Sequence, residues 1–289
     1  MKNESYVICT DSASDLPKEM IAARGLSATP LNFRFDGDAR EYTDRSMDIE
    51  EFYSKMRGGS VAKTSAANTE AFISDFKKYL DLGIDVLYLG FSSALSTTYN
   101  SARLAAEELA KEYPERKILT VDTLCASAGG ALLIDCVLEQ KEKGASIEEA
   151  AKFAEGTKLN ICHWFTVDDL VYLKRGGRVS PTVAFVGNVL GIKPIMHVDN
   201  EGRLTKVGKV RGRKTSICEL AAKYGELRRD NQSKVYISHS SCLEDAKLLA
   251  ETIEKNYGKS VDLITDVGPV IGAHSGPGTL ALFFVGKER

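Results

Sequence analysis

The sequence predicts an α/β fold in two domains: an N-terminal, mostly parallel, Rossmann-like sheet with helices on both faces, then a C-terminal mixed α/β sandwich. Three observations lead there. Short apolar runs of buried-strand length, such as Val86-Leu87-Tyr88-Leu89, alternate with stretches whose apolar residues recur at helical spacing. The chain has 289 residues, room for roughly two domains with cores of their own. The regular alternation breaks near Lys158, which divides the chain into residues 1–158 and 159–289.

Residues 6–9 form the first strand, and the polar loop Thr10-Asp11-Ser12-Ala13-Ser14-Asp15 leads to Pro17, which suits the start of a helix over 18–23. Residues 26–35 read as one strand, with Asp36-Gly37 offering a hairpin turn. Asp48 and Glu51 resemble a capping box for a helix over 49–56, which Gly58-Gly59 ends. Residues 61–70 read as a loop rich in hydroxyls, and Asn68 or Thr69 caps a helix reaching Leu82. After the strand at 86–89, Tyr99, Ala102, Ala106, Leu109 and Tyr113 make one apolar helical stripe. Another strand covers 117–121, and small residues at 126–130 let a helix over 131–143 pack closely. Ser146 and Glu149 form a second capping box, for a helix ending at Thr157.

Beyond Lys158 a strand at 161–167 holds the only Trp, and Asp168 or Asp169 begins a short helix. Lys174-Arg175-Gly176-Gly177-Arg178 is a basic, Gly-rich loop, followed by an apolar helix over 183–190. A hairpin joins strands 195–199 and 204–210. Helices at 215–228 and 243–257 alternate with strands at 235–238 and 261–265. Residues 268–278 read as a Gly-rich loop, and 280–285 as the last strand.

Composition narrows the function classes. Hydrophobic content of 43% and charged content of 27% are ordinary for a globular protein, and a net charge of −2 gives no attraction to nucleic acid. Cys9, Cys125, Cys136, Cys162, Cys218 and Cys242 form no C-x-x-C pair and read as reduced thiols. The N-terminal residues lack a signal-peptide apolar region, and no apolar run approaches the ~20 residues of a membrane span. A cytoplasmic protein with at most transient membrane contact is the expectation. No metal is expected, since His163, His197, His239 and His274 show no ligand spacing. Nor is a nucleotide cofactor: Gly208 to Thr215 misses P-loop spacing, and no G-x-G-x-x-G follows a strand.

The informative stretch is Gly90-Phe91-Ser92-Ser93-Ala94-Leu95-Ser96-Thr97-Thr98, between a strand and a helix. Its hydroxyls stand where α/β proteins hold ligands, beside the positive end of a helix dipole. They suit an anionic head group held without a full ion pair; alternatively they are helix caps. His274, between Gly272 and Gly276, is either a donor carried on a bend or a histidine satisfied by backbone. Arg203, Lys206, Lys209, Arg211, Arg213 and Lys214 are either a solvated hairpin edge or a surface for a partner protein or phosphate. One rival is catalytic: strand, G-x-S-x-A and helix resemble a hydrolase nucleophile elbow, with Ser92 as nucleophile and His274 as base. Against it, Ala94 replaces the usual last glycine and no HGGG-type oxyanion motif is visible.

Seven motifs in order resemble the DegV family of fatty-acid-binding proteins, which includes carrier subunits of bacterial fatty acid kinase. They are Thr10-Asp11-Ser12-Ala13-Ser14-Asp15-Leu16, Lys63-Thr64-Ser65, Ser92-Ser93-Ala94-Leu95-Ser96-Thr97-Thr98-Tyr99, Val121-Asp122-Thr123, Lys174 to Ser180, Lys209-Val210-Arg211, and Ala273-His274-Ser275-Gly276-Pro277-Gly278. The resemblance implies a lipid-binding carrier rather than an enzyme, with a long-chain fatty acid such as palmitate or oleate as ligand and no cofactor. It implies that Thr64 and Ser96 hold the carboxylate, with Ser93 and His274 beside it, and that the tail runs in an apolar tunnel. Arg211 would face a fatty acid kinase partner. Thr97 departs from the family's usual Gly, and Ala67 from a common Pro.

Overall fold

The computed structural model describes residues 6–179 and 191–289. The helix expected over 183–190, and Ser180, lie outside the described residues. The chain opens with β1 (Tyr6–Asp11), buried along its whole length, followed by α1 (Lys18–Ala23). The strand expected over 26–35 is two, β2 (Ser27–Thr29) and β3 (Asn32–Phe35), which join different sheets. Pro30 explains the break, because it offers no N–H to continue a ladder. β3 then pairs with β4 (Tyr42–Thr43) across a longer connection than the Asp36-Gly37 hairpin turn.

Next come α2 (Ile49–Arg57), capped by Asp48, and β5 (Ala62–Ser65). β5 corrects the loop expected over 61–70. Its own sequence is polar, and it is a strand because β3 supplies an antiparallel partner, with Phe33 opposite Thr64. This small sheet is filled by aromatic packing: Phe33 lies 5.2 Å from the Phe52 ring and 5.3 Å from Tyr42.

α3 (Thr69–Leu80), β6 (Asp85–Gly90), α4 (Thr98–Glu112) and β7 (Ile118–Asp122) complete a four-stranded sheet of order β2-β1-β6-β7, all parallel. The chain moves outward from β1 to β2 and, in the other direction, from β6 to β7. The carboxyl ends of β1 and β6 therefore flank a topological switch point, where the two following loops diverge and leave a crevice.

α5 (Ala128–Glu142) is buried on nearly every side, and α6 (Ile147–Thr157) starts with the expected capping box between Ser146 and Glu149. The rest of the chain builds β8 (Ile161–Thr166), α7 (Val171–Arg175), β9 (Ile192–Val198), β10 (Leu204–Arg211), α8 (Arg213–Leu227), β11 (Val235–His239), α9 (Leu243–Tyr257), β12 (Leu263–Asp266), α10 (Pro269–Ser275) and β13 (Leu280–Val285). Its sheet has the order β10-β9-β8-β13-β11-β12 and is mixed, with β11 and β12 parallel. Ile8 and Leu87 of the parallel sheet, Leu132 and Leu133 of α5, and Phe165 and Phe283 of the mixed sheet share one core. The small residues at the start of α5 allow that close approach. Asp135 of α5, 2% exposed, pairs with Arg24 on one side and with Lys234 (2.7 Å) and Tyr236 on the other.

α10 corrects the loop expected over 268–278. Its start signal is remote in sequence: Asp15 Oδ1 accepts from Gly268 N (3.0 Å) and Asp44 Oδ1 from Val270 N (2.8 Å), satisfying donors that a helix start leaves unpaired. Tyr53 of α2 fixes its flank, donating to the Val267 carbonyl at 2.6 Å. A Cβ on Gly272 would lie 2.4 Å from Tyr53 Oη. Gly272→Ala should therefore lower stability by about 1–3 kcal/mol in urea unfolding; an unchanged midpoint would mean that Tyr53 does not hold the helix.

Candidate functional site

Above the switch point lies a cavity of about 440 Å³. Its rim carries the exposed Ser93 and Thr97 and the half-buried Thr64, Ser96, His274 and Arg178; its interior is lined by buried side chains such as Phe165, Leu173, Ala281 and Phe283. All four residues expected at the head group (Thr64, Ser93, Ser96 and His274) thus line one cavity, although they come from three distant segments. Arg211 does not line it: it is exposed at the end of β10.

Each segment is held by a definite contact. The buried Asp11 carboxylate accepts from Phe91 N (3.0 Å), Tyr88 Oη (2.6 Å) and Ala13 N (3.1 Å), so it pins the loop after β6 to the loop after β1. Burial raises the pKa of Asp11 and these bonds oppose the rise. The Ser92 carbonyl accepts from Leu95 N (3.0 Å) and Ser96 N (3.2 Å), closing a tight turn, while Ser92 N donates to the Cys125 carbonyl (3.0 Å). Ser96 Oγ accepts from Thr98 N (3.2 Å) and lies 2.8 Å from Thr98 Oγ1, so it also satisfies the first N–H of α4, whose N-cap residue Thr97 makes no side-chain cap. The two readings of this hydroxyl-rich stretch therefore meet in one side chain. Pairing of β5 with β3 sets Thr64, whose Oγ1 lies 2.8 Å from His274 Nε2.

The serine hydrolase arrangement is absent from this geometry. Ser92 is fully buried and donates to the Gly202 carbonyl at 2.9 Å, while the imidazole of His274 meets Thr64 instead.

Several cavity residues had no assigned role in the sequence. Arg178 is the most consequential, because it corrects the expectation of a head-group region without a cation. Its guanidinium donates to the Leu95 carbonyl (3.2 Å) and the Gly176 carbonyl (2.5 Å), and among the described residues no carboxylate pairs with it. The basic Gly-rich loop was visible as a motif, but nothing in its spacing aims one arginine inward. Ser127, Ser238 and Ser275 also line the interior, as does His163, which is 2.8 Å from the Ile161 carbonyl through Nδ1. These lie on elements whose buried face only the tertiary structure defines.

Among the described residues no helix is long and apolar enough to cross a membrane, and no cluster of His, Cys, Asp and Glu is placed to hold a metal. A family model described as "Uncharacterised protein, DegV family" matches residues 5–287. The chain belongs to the DegV family. It is 43% identical to a DegV domain-containing protein of Clostridium perfringens, over 99% of both chains. It also resembles the solved structure titled for fatty acid binding of a DegV family protein from Thermus thermophilus (30% identity, TM-score 0.87, 98% of this chain and 99% of that one). A third match is a stearic acid-binding protein from Eubacterium ventriosum (26% identity, TM-score 0.88, 98% of both chains).

In this DegV protein the protonation of His274 decides what Thr64 can do. Burial, and then the positive charge of Arg178, lower its pKa from 6.5 to about 4, so the ring is neutral at neutral pH. Gly176 backs the ring closely; a Cβ there would lie 2.2 Å from His274 Nδ1. Nδ1 has no partner among the described residues. With the proton on Nε2, His274 donates to Thr64 and frees the threonine hydroxyl to donate into the cavity. With the proton on Nδ1, Thr64 must give its own proton to the ring. Only the first tautomer presents a donor to an anion.

The shift has a stability consequence. Because the folded state resists protonation of His274, the unfolded state binds more protons between pH 6.5 and about 4, and this group's contribution is lost as pH falls through that window. In the ligand-free protein, NMR of the His274 ring should show no titration between pH 8 and 5. A midpoint near 6.5 would mean that the ring is solvated.

Proposed function

We propose that this protein binds one long-chain fatty acid, such as palmitate or oleate, and presents its carboxylate to a separate fatty acid kinase that makes the acyl phosphate. The observation that carries the reading is a single cavity whose rim is polar and cationic and whose interior is mostly hydrocarbon. Burial of each methylene contributes about 0.8 kcal/mol, so a long tail supplies on the order of 10 kcal/mol before ordering costs. Affinity then resides in the tail. The head needs only orientation, which hydroxyls of Thr64 and Ser96 supply as donors, with Ser93 at the rim and His274 fixing Thr64.

Arg178 adds a positive charge that favours the ionised acid over the protonated one. Its bonds to backbone carbonyls hold it in place, and among the described residues no carboxylate competes for it. The names of the relatives from Thermus thermophilus and Eubacterium ventriosum support a fatty acid as the ligand. The protein acts in this reading as a carrier without chemistry of its own, built of two units that meet near residue 158. Arg211, on the exposed hairpin edge, would meet the kinase.

Three experiments test this. Delipidated protein should take up oleate from vesicles, and failure to do so refutes the carrier reading. The Thr64→Ala, Ser96→Ala double variant should lose acyl-phosphate formation with a fatty acid kinase far more than it loses stability, since each such contact adds only about 0.5–1.5 kcal/mol net. Arg211→Ala should weaken coupling to the kinase and leave lipid loading intact; loss of both would place Arg211 on the lipid side.

A further inference from the structure

The wall of the cavity is not uniformly apolar. Ser238 and Ser127, 0% and 5% exposed, line its interior with hydroxyl oxygens 3.0 Å apart. Ser127 Oγ is also 2.5 Å from Asp15 Oδ2. Ser275, 6% exposed, lines the same cavity, and its Oγ has no partner among the described residues. A tail made only of methylenes leaves such groups facing hydrocarbon, an arrangement that proteins avoid.

Their depth follows from α10. The Asp15 carboxylate bonds both Gly268, at the start of α10, and Ser127, whereas His274 sits in the last turn of the same helix. Six residues at 1.5 Å rise set these ends about 9 Å apart, which is several methylenes along an extended tail. The serine pair is therefore well removed from the head group.

We propose that Ser238, with Ser127 behind it, is a second polar anchor for a hydroxyl group near the middle of the acyl chain, so that hydroxylated long-chain fatty acids are ligands of this protein. The inference rests on the fatty-acid reading and extends it to a substrate class. Proton accounting favours a hydroxyl over a carbonyl. If Asp15 is ionised, Ser127 donates to it and Ser238 donates to Ser127, leaving Ser238 as an acceptor toward the cavity. If Asp15 is protonated, the order reverses and Ser238 is a donor. An alcohol satisfies either order, being donor and acceptor at once, whereas a ketone satisfies only the second.

Competition read by native mass spectrometry tests this. Delipidated protein is mixed with equal amounts of oleate and ricinoleate, the same chain bearing a hydroxyl near its middle. Ricinoleate should occupy at least as much protein as oleate. Ser238→Ala should move the ratio of ricinoleate to oleate about tenfold toward oleate, as loss of one buried hydrogen bond implies. Ser238→Cys, which keeps the volume but hydrogen-bonds weakly, should move it in the same direction, and this gives a second reading if the first variant folds poorly. In a parallel competition against palmitate, α-hydroxypalmitate, whose hydroxyl adjoins the carboxylate, should gain nothing over the plain acid.

Oleate displacing ricinoleate from the unmodified protein, or a ratio that neither variant moves, overturns the anchor and leaves the fatty-acid reading standing. Uptake of neither acid overturns both.

Discussion

The geometry of the site depends on the seating of α10. A helix of seven residues has no stability of its own, since nucleation costs more than so few hydrogen bonds return. What holds it is tertiary: Asp15 and Asp44 accept from the N–H groups at its start, and Tyr53 presses on its flank at Gly272. These three residues precede Lys158, whereas α10 belongs to the later part of the chain. The contacts that make α10 a helix therefore also draw the two sheets around the cavity. The carboxylates carry a cost. Burial pushes the pKa of Asp44 up to about 6, and burial with the neighbouring Asp44 raises Asp15 well above the usual range. Expensive buried acids at this position make sense if the orientation of His274 at the far end of the helix is what they secure.

α5 provides the complementary constraint. A helix buried between two sheets must be apolar nearly all round and slim where it crosses, and its opening Ala128-Gly129-Gly130-Ala131 meets both demands. It enters the core beside Ser127, directly at the cavity wall. Packing that joins the sheets thus also shapes the interior surface that a ligand would touch.

Much of this was legible in the chain itself. Strand and helix patterns around β1, β6, α4 and α6 follow local rules of periodicity and capping, which the structure keeps. Thr64, Ser93, Ser96 and His274, picked out by their motifs, line one cavity. Apart from the break between β2 and β3, which Pro30 signals locally, the misreadings share one cause. β5 is polar and became a strand through β3; the helix at Pro269–Ser275 depends on acids more than 200 residues earlier in the chain. Arg178 lay in a recognised motif, yet its inward aim is set by carbonyls of Leu95 and Gly176. Signals of this kind exist only between segments, so no local window of sequence contains them.

The rim also shows how charge and neutrality can be divided between neighbours. A carboxylate gripped by several cations would bind firmly but lose nucleophilicity, because its lone pairs would be occupied. Here the single cation Arg178 stands beside an imidazole whose protonation it suppresses. The pair can therefore bring only one positive charge to an acid at neutral pH, and the remaining contacts are hydroxyls. Replacing His274 by a permanent cation would remove that division, since a second charge would then grip the acid while Thr64 kept its donor role. In the fatty-acid reading proposed above, weak, directional contacts at the head are tolerable because the tail supplies the affinity, and they would leave an oxygen available to the proposed kinase.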